Sequence, residues 1–118
     1  MEGRVAYPDA LSSELRKELY DAGERPGHYR GFLHLLAHER RWFQARDEYP
    51  RIRIPTLLIY GERDWAPLPL RERSRALIPG AAMTTVSDGG HFLSLDRPRE
   101  LTDLIVRFVT SAHDQRGA

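Results

Sequence analysis

The sequence predicts an α/β fold in which two parallel strands with flanking helices follow an all-helical segment. Three observations carry this. Apolar residues recur at helical spacing through residues 1–50. The run Thr56-Leu57-Leu58-Ile59-Tyr60 is continuously apolar, the pattern of a strand covered on both faces of a parallel sheet. A second short strand follows after about 20 residues, enough for the helical crossover that parallel pairing requires.

The elements follow in order. Leu11, Leu15 and Leu19, with Ala10 and Ala22, predict a helix from about Asp9 to Ala22; Pro8 precedes it and Gly23 stops it. After the connector Gly23-Glu24-Arg25-Pro26-Gly27, a second helix is expected to about Arg46. Tyr29, Phe32, Leu33 and Leu36 mark its buried face, Trp42 and Phe43 extend it, and Pro50 ends this half. The strand at 56–60 is broken by Gly61, and 61–67 is a loop. A helix fits Leu70 to Ile78, with Leu70, Ala76, Leu77 and Ile78 packed and Arg71, Arg73 and Arg75 on a solvated face; Pro79-Gly80 stops it. The second strand is Ala82–Val86, followed by the loop Ser87-Asp88-Gly89-Gly90-His91. The last helix starts near Pro98, and Leu101, Leu104, Ile105, Phe108 and Val109 form its apolar stripe. Residues 112–118 read as a frayed tail. The chain divides into a helical segment, 1–50, and an α/β portion, 51–118.

Composition narrows the function classes. With 118 residues, 41% hydrophobic and 30% charged, the chain has the make-up of one folded domain. A net charge of +1 argues against a nucleic-acid partner or a polybasic membrane surface. Only Lys17 among the 18 basic residues is lysine, which reads as codon bias. The lack of cysteine excludes disulfides, zinc–thiolate sites and a Cys nucleophile. No apolar run reaches the ~20 residues of a membrane span, and Met1 to Asp9 is too polar for a secretory signal. The expected location is cytoplasmic.

In a parallel sheet, ligands sit beyond the carboxyl ends of the strands. The loops at 61–67 and 87–93 both leave such ends, so they should face one crevice. The first carries Asp64 and the second His91. A carboxylate beside an imidazole fixes its tautomer and leaves the other ring nitrogen as a general base. Gly89 and Gly90 would let the backbone turn sharply before His91. On spacing alone, Asp64 also reads as a helix cap and His91 as a solvated loop residue.

The stretch Ile54-Pro55-Thr56-Leu57-Leu58-Ile59-Tyr60-Gly61-Glu62-Arg63-Asp64 resembles the penultimate strand and acid loop of the α/β-hydrolase fold family. Gly89-Gly90-His91-Phe92, with Asp96-Arg97-Pro98, resembles its histidine loop and the start of its last helix. The order acid then histidine matches the family. Residues 1–50 resemble the tail of its helical cap. The resemblance implies that Asp64 and His91 are catalytic positions of a nucleophile–His–Asp triad. It implies no cofactor.

One part of the family pattern is missing. No G-x-S-x-G elbow or Asp variant of it occurs, and no histidine precedes a glycine as in the family's oxyanion loop. Ser12 and Ser13 open a helix, Ser74 lies mid-helix, and Ser87, Ser94 and Ser111 lack the glycine frame. Two strands also cannot bury Leu57, Leu58 and Ile59 on both faces. The expectation is therefore a C-terminal portion, from a truncated gene model, a degraded gene or a split gene. Completed by upstream sequence, it would hydrolyse an ester, or an epoxide or carbon–halogen bond if the nucleophile is Asp. Its partners would be a small-molecule substrate and the missing N-terminal part or another chain. The alternative is a non-catalytic fragment or binding module that folds on a partner chain. A flavodoxin-like domain would need a glycine-rich phosphate loop at a helix start, and none is present.

Other residues have plainer readings beside functional ones. Asp88 is a turn residue or a substitute acid. Glu62 reads as exposed. Trp65 and Phe92 would line an apolar substrate pocket or pack loop against cap. His34 and His38 share a helix face, but Glu39 is misplaced for H-E-x-x-H and no third ligand is evident, so no metal is expected.

Overall fold

The structure, a computed structural model, describes residues 6, 11–38, 41 and 44–114. Two helices, α1 (Ser13–Gly23) and α2 (His28–Ala37), come first. Ser12 caps α1, its hydroxyl accepting the Leu15 N–H at 3.1 Å. The start expected at Asp9, with Pro8 and Ala10, lies outside the described residues. Gly27 leads into α2 with φ of 86°, a left-handed turn that glycine adopts without steric cost.

Helix α2 ends at Ala37, earlier than the expected Arg46. His38 closes it: its Nδ1 meets the His34 carbonyl at 2.7 Å, while its N–H turns to the carbonyls of Leu35 and Leu36. Trp42 and Phe43 lie outside the described residues. Ala45–Arg51 form a 3₁₀ helix, with Pro50 inside it instead of after it. The expected buried face of α2 is open: Tyr29 is 72% exposed, and Phe32, Leu33 and Leu36 are nearly half exposed. Leu11 is buried and Leu15 half-buried, but Leu19 is exposed. The physical reason is that α1 packs chiefly against α2, and a two-helix hairpin can cover only one strip of each helix.

The α/β portion follows the expected order. Strand β1 (Leu57–Gly61) pairs in parallel with β2 (Ala82–Val86), in register from Leu57↔Ala82 to Gly61↔Val86. Strand β1 is shifted by one residue from expectation. Gly61 continues the ladder, and Thr56 still accepts the Ala82 N–H through its carbonyl at 3.0 Å. Helix α3 (Leu68–Leu77) makes the crossover. A one-turn helix, α4 (Leu93–Asp96), was not expected. Helix α5 runs from Pro98 to Asp114, starting where proline predicted and continuing past the expected fraying at residue 112.

Burial departs from the sequence reading in three places. Leu57 to Tyr60 are only half-buried, because the sheet has two strands among the described residues. On α5, Leu101, Leu104 and Phe108 are half-buried, but Ile105 is 47% and Val109 59% exposed. On α3, Ala76 is exposed and Arg71, expected in water, is buried. Among the described residues the buried apolar ones are Leu11, Ile78, Ala81, Val86 and Leu93, a small core. No described helix is long and apolar enough to cross a membrane.

Candidate active site

The two loops that leave β1 and β2 are joined through their backbones. The Glu62 N–H donates to the Val86 carbonyl and the Arg63 N–H to the Gly89 carbonyl, both at 2.9 Å. Gly61 makes this closeness possible. A Cβ there would collide with the carbonyl oxygens of Gly89 and Gly90. Sharp turning is not what the loop glycines provide: the left-handed residue is Asp88, φ 55°, and neither Gly89 nor Gly90 has positive φ. Close approach of backbone to backbone is the constraint.

This junction brings Asp64 to His91. The Asp64 Oδ2 and Oδ1 atoms lie 3.2 and 3.3 Å from His91 Nδ1. A carboxylate accepts, so the contact assigns the proton to Nδ1. The spacing is at the long end for such a bond. The Asp64 side chain is 6% exposed and that of His91 33%. Asp64 Oδ1 also accepts the Ala66 N–H at 2.8 Å, an Asx turn that locks the carboxylate onto its own loop. Among the described residues, His91 Nε2 has no hydrogen-bond partner. The acid is thus covered and the far ring nitrogen open.

Two aromatic rings flank the imidazole. The Trp65 and Phe92 rings each lie 5.1 Å from that of His91, tilted and edge-on respectively. Trp65 is 59% exposed. Asp88, the alternative acid, turns elsewhere: its carboxylate pairs with Arg63 Nη2 at 2.6 Å. Glu62 is exposed, and its Oε2 accepts the Asp88 N–H at 3.0 Å. Its role is to tie the second loop to the first. Among the described residues, no three His, Asp or Glu side chains gather as a metal site would require.

Sequence reasoning missed two charged residues, Arg71 and Asp96, both buried. The Arg71 guanidinium donates to three carbonyls of the acid loop: Nε to Ala66 at 2.6 Å, Nη1 to Gly61 and Nη2 to Asp64, both at 2.9 Å. Asp96 accepts the Gly90 N–H at 2.8 Å and the Ala6 N–H at 3.0 Å, holding the residue before His91. A signal for Arg71 existed: with Ser74 and Ile78 it follows the i, i+3, i+7 spacing of an inward stripe. For Asp96 the signal was weaker. Gly90 carries a backbone N–H that the loop had to satisfy.

A sequence profile described as "Alpha/beta hydrolase family" matches residues 2–104. No curated protein matches the chain significantly. Among solved structures, a variant of a meta-cleavage product hydrolase (CumD) is 23% identical, with a TM-score of 0.76 over 93% of this chain and 43% of its own. Cfl2 from Burkholderia cenocepacia is 20% identical, with a TM-score of 0.72 over 89% of this chain and 36% of its own. Both likenesses carry the fold alone. The enol-lactonase from Burkholderia xenovorans is 30% identical, with a TM-score of 0.51 over 55% of this chain and 25% of its own. The chain spans 25% to 43% of the length of these three structures.

Proposed function

We propose that this chain, which belongs to the alpha/beta hydrolase family, supplies the acid and the general base of an ester-hydrolysing site whose nucleophile and oxyanion hole come from other sequence. The observation that carries the reading is the covered Asp64 carboxylate, 3.2 Å from the Nδ1 of a His91 whose Nε2 is open. In this reading Asp64 holds His91 in the Nδ1–H tautomer. With a serine nucleophile, His91 Nε2 takes the proton from the hydroxyl as it attacks the ester carbonyl, and then from the water that hydrolyses the acyl-enzyme; with an aspartate nucleophile it takes the proton from the water that attacks the aspartyl ester intermediate. The imidazolium, stabilised by Asp64, then returns the proton to the leaving group. Trp65 and Phe92 form the apolar wall against which the substrate lies.

The likeness to an enol-lactonase favours an ester or lactone over an epoxide or carbon–halogen bond. The half-buried β1 and the exposed side of α5 are where the completing part of the sheet would pack. That part is an upstream segment or a second polypeptide, and the assembled site acts on a small molecule in the cytoplasm.

The test is co-production of the chain with the polypeptide encoded immediately upstream, followed by assay on p-nitrophenyl esters and simple lactones. The expected outcome is turnover that His91→Ala abolishes and Asp64→Ala lowers about 10,000-fold. Turnover indifferent to His91→Ala would overturn the reading. Assembly without turnover would leave the non-catalytic module in its place.

A further inference from the structure

Arg71 is 6% exposed, and the described residues place no carboxylate in ion-pair contact with it. A guanidinium is not held out of water without compensation. Here the compensation is three backbone carbonyls, those of Gly61, Asp64 and Ala66, together with the Tyr60 ring face 5.2 Å from the guanidinium carbon. The three carbonyls bracket one short loop, and the residue at its centre is Asp64. Two of the accepting residues also brace Asp64: the Ala66 N–H donates to its Oδ1, and the Gly61 carbonyl accepts its backbone N–H at 3.2 Å. The guanidinium therefore holds the frame from which the carboxylate is aimed.

We propose that Arg71 is a positioning residue for the Asp64–His91 pair: its three-pronged grip on the 61–66 loop sets the carboxylate at Nδ1 and so selects the His91 tautomer. The inference rests on the functional reading of that pair. A lysine cannot reproduce the grip, because an ammonium is a point donor on a flexible stem whereas the guanidinium is a planar fork. The role is separate from charge: Arg71 neutralises no acid and reaches Asp64 only through backbone oxygens.

The experiment reads the imidazole directly. The full chain, labelled with nitrogen-15, is examined by long-range proton–nitrogen correlation at a pH where the ring is neutral. Wild type is expected mainly as the Nδ1–H form. Asp64→Ala should move the ratio toward Nε2–H about tenfold, the scale of a hydrogen bond to a charged group. Arg71→Lys and Arg71→Gln should do the same while the β1–β2 amide signals stay in place. A wild-type ring in the Nε2–H form, or an unchanged ratio in Asp64→Ala, overturns the pair and the grip with it. A shifted ratio in Asp64→Ala but not in the folded Arg71 variants overturns the grip alone. Loss of fold in both Arg71 variants also overturns it, by making Arg71 a general support of the domain. A shift in either folded variant sustains it.

Discussion

Asp96 joins positions that are far apart in the chain. Its two carboxylate oxygens take the Ala6 N–H at 3.0 and 3.1 Å, and one of them takes the Gly90 N–H at 2.8 Å. It therefore ties Ala6 to the peptide that leads into His91. Removing an acceptor from a buried N–H costs its desolvation as well as the bond, about 2 kcal/mol. Asp96→Ala should accordingly speed amide exchange at Gly90 about 30-fold, with little change at Leu104 in the middle of α5. Equal acceleration at both positions would make Asp96 a support of the whole domain instead of the histidine loop.

Residues of this kind were the least legible in the sequence. That Asp64 and His91 would meet could be read because each follows a strand and both loops leave carboxyl ends of the sheet. Arg71 could not be read from charge, because it stands among Arg73 and Arg75 and both of those are exposed. What separates it is the angle around α3, and a polar residue on an inward stripe is invisible to a search for apolar periodicity. Asp96 precedes Pro98 at a helix start and looks like any acidic residue near a first turn.

At the scale of elements, the strand ends and their loops form one unit, and Gly61 sets its spacing. A Cβ on Gly61 would strike the Gly89 and Gly90 carbonyls, which are backbone and cannot rotate away. Gly61→Ala should therefore push the histidine loop off the acid loop. The cost expected for overpacking is about 1–3 kcal/mol. If the proposed completed site turns over esters, misplacement of the pair should lower its kcat/KM about 100-fold. Gly23→Ala, at the end of α1 with open space around it, is the matched control and should leave turnover unchanged. Equal turnover in the two variants would show that the loops accommodate a methyl group by sliding.

The elements themselves were read well where local pattern decides and poorly where partners decide. The bounds of β2 and the start of α5 are as expected, because the β-branched Thr84-Thr85-Val86 and a first-turn proline act locally. Strand β1 is shifted by one, since a glycine gives no apolar signal although it completes the ladder. On α5, the stripe through Leu101, Leu104 and Phe108 is inward-facing, whereas Ile105 and Val109 meet no cover. Helical periodicity names the face that seeks burial; it does not supply the surface that buries it.

At the scale of the molecule, that uncovered surface is the dominant physical fact. A compact monomer of 13.6 kDa exposes about 6,600 Å², and this chain exposes 9289 Å². Its radius of gyration is 17.2 Å, against about 13.5 Å for a compact domain of 118 residues. Much of the exposed apolar surface lies on α2 and on the Ile105–Val109 side of α5, beside an open groove of about 280 Å³ lined by Ile54, Pro55 and Phe108. Surfaces of that kind draw water-excluding partners. The chain alone should therefore bind the dye ANS, and the proposed completing polypeptide should suppress that fluorescence. Val109→Asp should weaken the complex without disturbing the Asp64–His91 contact, because Val109 lies on the exposed face of α5 and lines the same groove. One charge placed in a desolvated contact should raise the dissociation constant at least tenfold. A complex that forms equally well with Val109→Asp would mean that α5 stays in water. The completing part would then have to meet the chain along an open edge of the two-stranded sheet, with α2 as its second contact.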